Sequence, residues 1–179
     1  MDATRLFDLL EIQNKNVPND PFLSSKVNGT WVTYTFKEVQ QYANRASQLL
    51  LNIGLKKGDA IALISANRPE WNFIDFGAMQ IGVTVVPMYP TIAERDYEYI
   101  FNDAAICYAF IDNEVVYNKV KPLLQKISSF KGIYSFDKLP NVPSLIASLP
   151  ATVQLSEIDK RKKATTEEDI ATIIYTSGT

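Results

Sequence analysis

The residues best equipped for chemistry stand together at the end of the chain, where Thr176, Ser177 and Thr179 supply three hydroxyls around Gly178. Glycine permits a backbone in which successive amides point at one anion, and the hydroxyls add further donors. Such a loop suits recognition of a phosphate or carboxylate. Of the six residues from Ile170 to Tyr175 before it, five are apolar or aromatic and several are β-branched. That composition predicts a strand covered on both faces. A hydroxyl-rich loop at the carboxyl end of a buried strand is where open α/β sheets bind ligands. The sequence stops inside this loop, so it reads as an amino-terminal fragment of a larger enzyme.

Other reactive residues are few. The chain has no histidine, so Ser-His-Asp and Cys-His mechanisms and imidazole metal sites do not arise within it. The single Cys107 excludes disulfide scaffolds and multi-cysteine metal sites. It lies in the apolar run Ala104 to Ile111 without an evident acid–base partner, which favours an inert core thiol over a reactive one. Arg68 follows a strand end and could reach a phosphate or carboxylate, or serve as a surface arginine beside a helix cap. Tyr97 and Tyr99 could line a pocket, although aromatics at helical spacing more often enter the core. No residue is identified as a catalytic acid, base, nucleophile or metal ligand.

Composition narrows the class. At 179 residues and 46% hydrophobic content, the chain can build one core. The formal charge of −2 provides no basic field for nucleic acid or anionic lipid. Lys160 to Lys163 is the one basic cluster, and Asp159, Glu167, Glu168 and Asp169 offset it, as in a solvated linker. No apolar run is long enough to cross a bilayer, and no signal peptide precedes the first helix, so a cytoplasmic protein is expected.

The elements that must position the terminal loop follow an α/β alternation. A short surface helix is predicted from Arg5 to Asn14. Phe22 to Val27 and Thr30 to Thr35 read as strands joined by Asn28-Gly29, the preferred type I′ hairpin turn. Thr35 and Glu38 form a capping box for a long helix closed by Gly54. Ala60 to Ile64 then reads as a parallel strand. Asn67 is expected to cap a helix with Pro69 in its first turn, and Gly82 to end it. Val83 to Val86 is a strand, and Thr91 to Glu94 suggests another capping box. A strand at Ile106 to Ile111, a helix over 115–127 and a strand at Gly132 to Phe136 follow. Leu139 to Lys163, interrupted by Pro140, Pro143 and Pro150, reads as a surface excursion. The expected fold is α/β, a mostly parallel doubly wound sheet with flanking helices and an amino-terminal β-hairpin.

Thr-Ser-Gly-Thr alone is a weak motif, and a Walker A loop fits poorly because its second glycine and Lys-Ser/Thr are absent. In context, Ile173-Ile174-Tyr175-Thr176-Ser177-Gly178-Thr179 resembles the start of the phosphate-binding signature of adenylate-forming, AMP-binding enzymes, which continues Thr-Gly-x-Pro-Lys-Gly. The likeness extends to Tyr34-Thr35-Phe36 with Glu38, and to Gly54 with Gly58-Asp59. Asn67-Arg68-Pro69-Glu70-Trp71 and the run from Gly82 to Thr91 are similar to the long-chain fatty-acyl-CoA synthetase branch.

The resemblance implies that residues 1–179 are the amino-terminal subdomain of an ATP-dependent fatty-acid–CoA ligase, with ATP, Mg2+ and coenzyme A as its reagents. A carboxylate would attack the α-phosphate to give an acyl-adenylate and pyrophosphate, and the coenzyme A thiol would displace AMP. Thr176, Ser177, Gly178 and Thr179 match motif positions and carry over as ATP-phosphate contacts. The catalytic lysine and metal-associated glutamate of the family fall beyond Thr179, so the fragment alone is expected to be inactive. A different acyl acceptor, or a non-catalytic α/β binding module, are the alternatives. A fatty acid is the implied partner and nucleic acid is not. Peripheral membrane contact is compatible with a lipid substrate, though no basic amphipathic helix supports it.

Overall fold

The structure is a computed structural model and describes residues 3–176. The chain runs α1 (Leu6–Asn16), β1 (Pro21–Val27), β2 (Thr30–Thr35), α2 (Phe36–Asn52), β3 (Ala60–Ile64), α3 (Pro69–Met79) and β4 (Thr84–Met88). It continues through α4 (Glu94–Asp103), β5 (Ile106–Ile111), α5 (Glu114–Val120), α6 (Leu123–Lys126), β6 (Gly132–Ser135), α7 (Leu145–Ser148) and α8 (Leu155–Ala164). Two compact units divide these elements. One takes Met1–Lys56, Asn67–Gly82 and Pro150–Asp169, and the other Lys57–Ala66, Val83–Leu149 and Ile170–Thr179.

In the first unit, the hairpin and α2 form where the sequence predicts. Asn28 and Gly29 both have positive φ, 50° and 83°, as a type I′ turn requires. The Thr35 hydroxyl accepts from the Glu38 amide at 3.3 Å, and the Glu38 carboxylate accepts from the Thr35 amide at 2.8 Å. Gly54 closes α2 with φ 85°. The helix then buries Val39, Ala43, Ala46 and Leu50. Tyr42 stacks on Phe73 of α3 at 4.2 Å, and Tyr34 of β2 meets both rings edge-on.

Between α2 and α3 lies a buried polar chain. The Ser47 hydroxyl donates to the Gly77 carbonyl at 2.7 Å, Gln80 Nε2 donates to Ser47 Oγ, and Gln40 Nε2 donates to Gln80 Oε1. Each pairing satisfies a group that would be costly to bury alone.

The second unit is built on a parallel sheet ordered β4-β3-β5-β6. β3 is buried along its whole length, as expected of a central strand in a sheet packed on both faces. Ala62, Ile64, Val86, Ala109 and Ile111 share a core with Tyr97, Ile100 and Phe101 of α4 and Val116 and Val120 of α5. Fully burying each large side chain contributes about 1.5–3 kcal/mol. Tyr97 is therefore core, with its hydroxyl donating to the Tyr89 carbonyl at 2.9 Å.

Several expectations are corrected. Ile170 to Tyr175 is not a strand covered on both faces: one parallel bridge joins Thr172 to Val85, while Ile170 and Ile174 are 63% and 67% exposed. Ala171, Ile173 and Tyr175 turn inward between exposed neighbours, the alternation of a segment with one covered face at a sheet edge. Asn67 does not cap α3, because Arg68 occupies that position without a side-chain cap, although Pro69 is the first helical residue. Thr91 likewise gives no capping box, since α4 begins one residue after Ala93.

The helix expected over 115–127 is interrupted after Val120 and resumes beyond Pro122 as α6, because proline removes an amide donor and its ring crowds the preceding turn. Lys160 to Lys163 belongs to α8 and not to a linker. Within that helix Arg161 pairs with Glu157, and Lys162 reaches Glu11. Cys107 is half-buried, with its Sγ 3.7 Å from the Ala105 carbonyl, so it sits at the rim of the core instead of inside it.

Candidate functional site

The terminal segment is built onto β4 by few bonds. The Val85 amide donates to the Ala171 carbonyl, the Ile173 amide donates to the Val85 carbonyl, each at 3.0 Å, and the Thr84 hydroxyl donates to Ile170 O at 3.0 Å. The segment runs parallel to β4. Tyr175 then packs against the core of its unit, and its ring meets Tyr99 edge-on at 6.3 Å. Its hydroxyl donates to Asp103 Oδ2 at 2.5 Å. Desolvation pushes the Tyr175 phenol up to about 12, and the Asp103 hydrogen bond and negative charge add to that rise.

Thr176 follows on the exposed side of this segment. Its hydroxyl is therefore free of the core. Ser177, Gly178 and Thr179, the other residues assigned to phosphate binding from sequence, lie outside the described residues. What precedes them is an anchored tyrosine and then an accessible threonine.

Other sequence candidates take structural roles. Arg68 makes a two-point pair with Glu70, Nη2 to Oε1 at 2.9 Å and Nε to Oε2 at 3.0 Å. Its position beside the start of α3 matches the surface-arginine reading. Tyr97 is buried, whereas Tyr99 is 64% exposed and belongs to the Tyr175 contact. Among the described residues, no group of three His, Cys, Asp or Glu side chains could hold a metal ion. No described helix is long and apolar enough to cross a membrane.

Two features escaped sequence reasoning. Asp103 lies 72 residues from Tyr175, and nothing in its local pattern marks it. Asp75 lines a recess of about 410 Å3 in the first unit, where Leu10, Phe22, Phe36 and Met79 form much of the wall. Burial pushes its carboxyl up to about 7. The signal for Asp75 was present, because an acid among Phe73, Ile74, Phe76 and Met79 interrupts an apolar helix.

The chain belongs to the AMP-binding enzyme family, whose model matches residues 10–179. The long-chain-fatty-acid–CoA ligase FadD15 of Mycobacterium tuberculosis is 27% identical over 154 residues, which cover 86% of this chain and 26% of that protein. Human long-chain-fatty-acid–CoA ligase 1 is 29% identical over 195 residues, covering 99% of this chain and 28% of its own length. The chain thus spans about a quarter of the length of these relatives. The solved structure of the anthranilate CoA ligase AuaEII in complex with anthranoyl-AMP superposes with a TM-score of 0.75 at 19% identity, covering 97% of this chain and 32% of that one. A likeness at that identity establishes the shared fold.

Proposed function

We propose that residues 1–179 form the amino-terminal subdomain of an ATP-dependent fatty-acid–CoA ligase, and that Thr176, Ser177, Gly178 and Thr179 contact the ATP phosphates. The observation that carries this reading is the family match running through to residue 179, together with the exposed Thr176 beyond the segment parallel to β4. Negative charge builds on the phosphates when a carboxylate attacks, and preorganised hydroxyl and amide donors stabilise it. Magnesium would share that neutralisation when bound, and coenzyme A would take the acyl group from the adenylate. A cytoplasmic enzyme fits this chemistry, because its reagents are cytoplasmic metabolites.

Fatty acid as the carboxylate rests on the names of the relatives, FadD15 and human ligase 1. A second reading, an aryl or other small acid, is favoured by the fold likeness to an anthranilate ligase. Carboxylate-dependent ATP–pyrophosphate exchange by the full-length enzyme separates the two. Exchange with long-chain fatty acids followed by acyl-CoA formation is expected. Exchange with aryl acids alone transfers the assignment to the second reading, and no exchange with any carboxylate overturns both. Calorimetry of the 179-residue chain with magnesium-ATP should give no saturable heat, because the resemblance assigns only part of the family's phosphate-binding signature to these residues; tight saturable binding would overturn that expectation.

A further inference from the structure

Among the described residues, backbone pairing between the terminal segment and β4 stops at Ile173. What holds the two residues before Thr176 is therefore side-chain contact. Ile174 is exposed and contributes none of it, leaving Tyr175. Its ring is half-buried against the core, meets Tyr99 edge-on and ends in the short hydrogen bond to Asp103. An O–H donating to a carboxylate makes a shorter and stronger bond than a neutral pair. The Asp103 end of that bond stands on α4, an element fixed to the same core through Tyr97, Ile100 and Phe101.

We propose that the Tyr175–Asp103 bond is the anchor that sets where the phosphate-binding loop leaves the sheet, making both side chains positioning residues for ATP. This rests on the ligase reading above. Thr176 is joined directly to Tyr175, so any play in that tyrosine is passed on to the threonine hydroxyl. Removing the bond leaves a loop entrance held by ring packing alone. A loop that samples several entrances binds its anion more weakly, while a carboxylic substrate that does not touch the loop loses nothing.

The test uses the full-length enzyme with Tyr175→Phe, Asp103→Ala, Asp103→Asn and the double variant Tyr175→Phe/Asp103→Ala. The phenylalanine keeps the ring and removes the hydroxyl, and the asparagine keeps an acceptor. Tyr175→Phe and Asp103→Ala should each raise KM for ATP roughly three- to tenfold, the size expected for one lost hydrogen bond, with KM for the carboxylate unchanged. Asp103→Asn should restore most of the ATP affinity, and the double variant should be no worse than the worse single. Effects that multiply, equal shifts in both KM values, or a lowered Tm with an unchanged KM for ATP would each overturn the anchor. A second readout does not depend on the ligase assignment: carbon-13 NMR of Tyr175 in the 179-residue chain should show titration well above ordinary tyrosine, returning toward it in Asp103→Ala. Ordinary titration in both chains means the bond is absent and the proposal fails, whatever the enzyme acts on.

Discussion

Asp75 shows what one misplaced charge costs a helix. Its carboxyl shares a recess with Leu10, Phe22, Phe36 and Met79, and desolvation alone pushes it up to about 7. The folded protein therefore binds a proton there that the unfolded chain releases near pH 4. The stability contributed by the neutral carboxyl is complete below that pH and is lost as pH rises through about 7. At roughly 1.4 kcal/mol for each unit of displacement the ceiling is about 4 kcal/mol, reduced by the exposure the group retains. Urea denaturation at pH 5 and pH 8 should show a lower midpoint at pH 8. Asp75→Asn, which keeps the shape without the charge, should narrow that gap. Equal wild-type midpoints would mean that Asp75 is solvated in the folded protein.

At the scale of elements, the approach of α2 to α3 depends on Gly77. A Cβ there would stand 2.6 Å from Ala46 Cβ and 2.9 Å from the Ala43 carbonyl. Both neighbours are main chain or a bare methyl, so neither can swing aside. Gly77→Ala should destabilise by about 1–3 kcal/mol despite its better helix propensity, because the helices must separate. Equilibrium unfolding checks this, and an unchanged or raised midpoint would show that the pair yields easily. Nothing in the sequence identifies Gly77 as a contact: it reads as an ordinary tolerated helix glycine.

Local signals were more readable. Asn28-Gly29 and the Thr35/Glu38 box fix a turn and a helix start through bonds between near neighbours, and each appears where the residues place it. The caps assigned to Asn67 and Thr91 failed because the same residue types also suit ordinary turns, and the backbone entered α3 and α4 one residue or more later. Of the candidate site, the segment before Thr176 was expected as a strand covered on both faces, whereas it makes one bridge to β4 and leaves Ile170 and Ile174 exposed. The Tyr175–Asp103 contact was illegible, since only the fold brings those two residues together.

At the scale of the molecule, the terminal segment leaves one apolar side uncovered. Ile170 and Ile174 are largely exposed beside a sheet edge bound through a single bridge. Exposed β-branched residues on such an edge favour pairing with another chain. The 179-residue chain should therefore associate with rising concentration, and Ile170→Lys with Ile174→Lys should suppress it. Sedimentation velocity distinguishes the cases, and identical behaviour of wild type and variant would exclude this edge as the contact. The apolar content of Ile170 to Tyr175 predicted a strand, whereas the segment makes a single bridge, at Thr172; apolar residues on both sides do not reveal whether both sides are covered.

The first unit carries a further consequence in the bonds of Arg5 and Glu11. Arg5 donates to the Lys162 and Thr165 carbonyls, and Glu11 pairs with Lys162. The partners of Arg5 lie up to 160 residues away. On a ribosome adding 5–20 residues per second, α1 emerges roughly 8–32 seconds before α8 has been made. During that interval Leu10 can already pack on Val39, Ala43 and Phe73 of α2 and α3, which are made before β6 completes the sheet. The order of synthesis therefore favours a nascent chain in which the first helix docks early on α2 and α3, and its bonds to α8 close last.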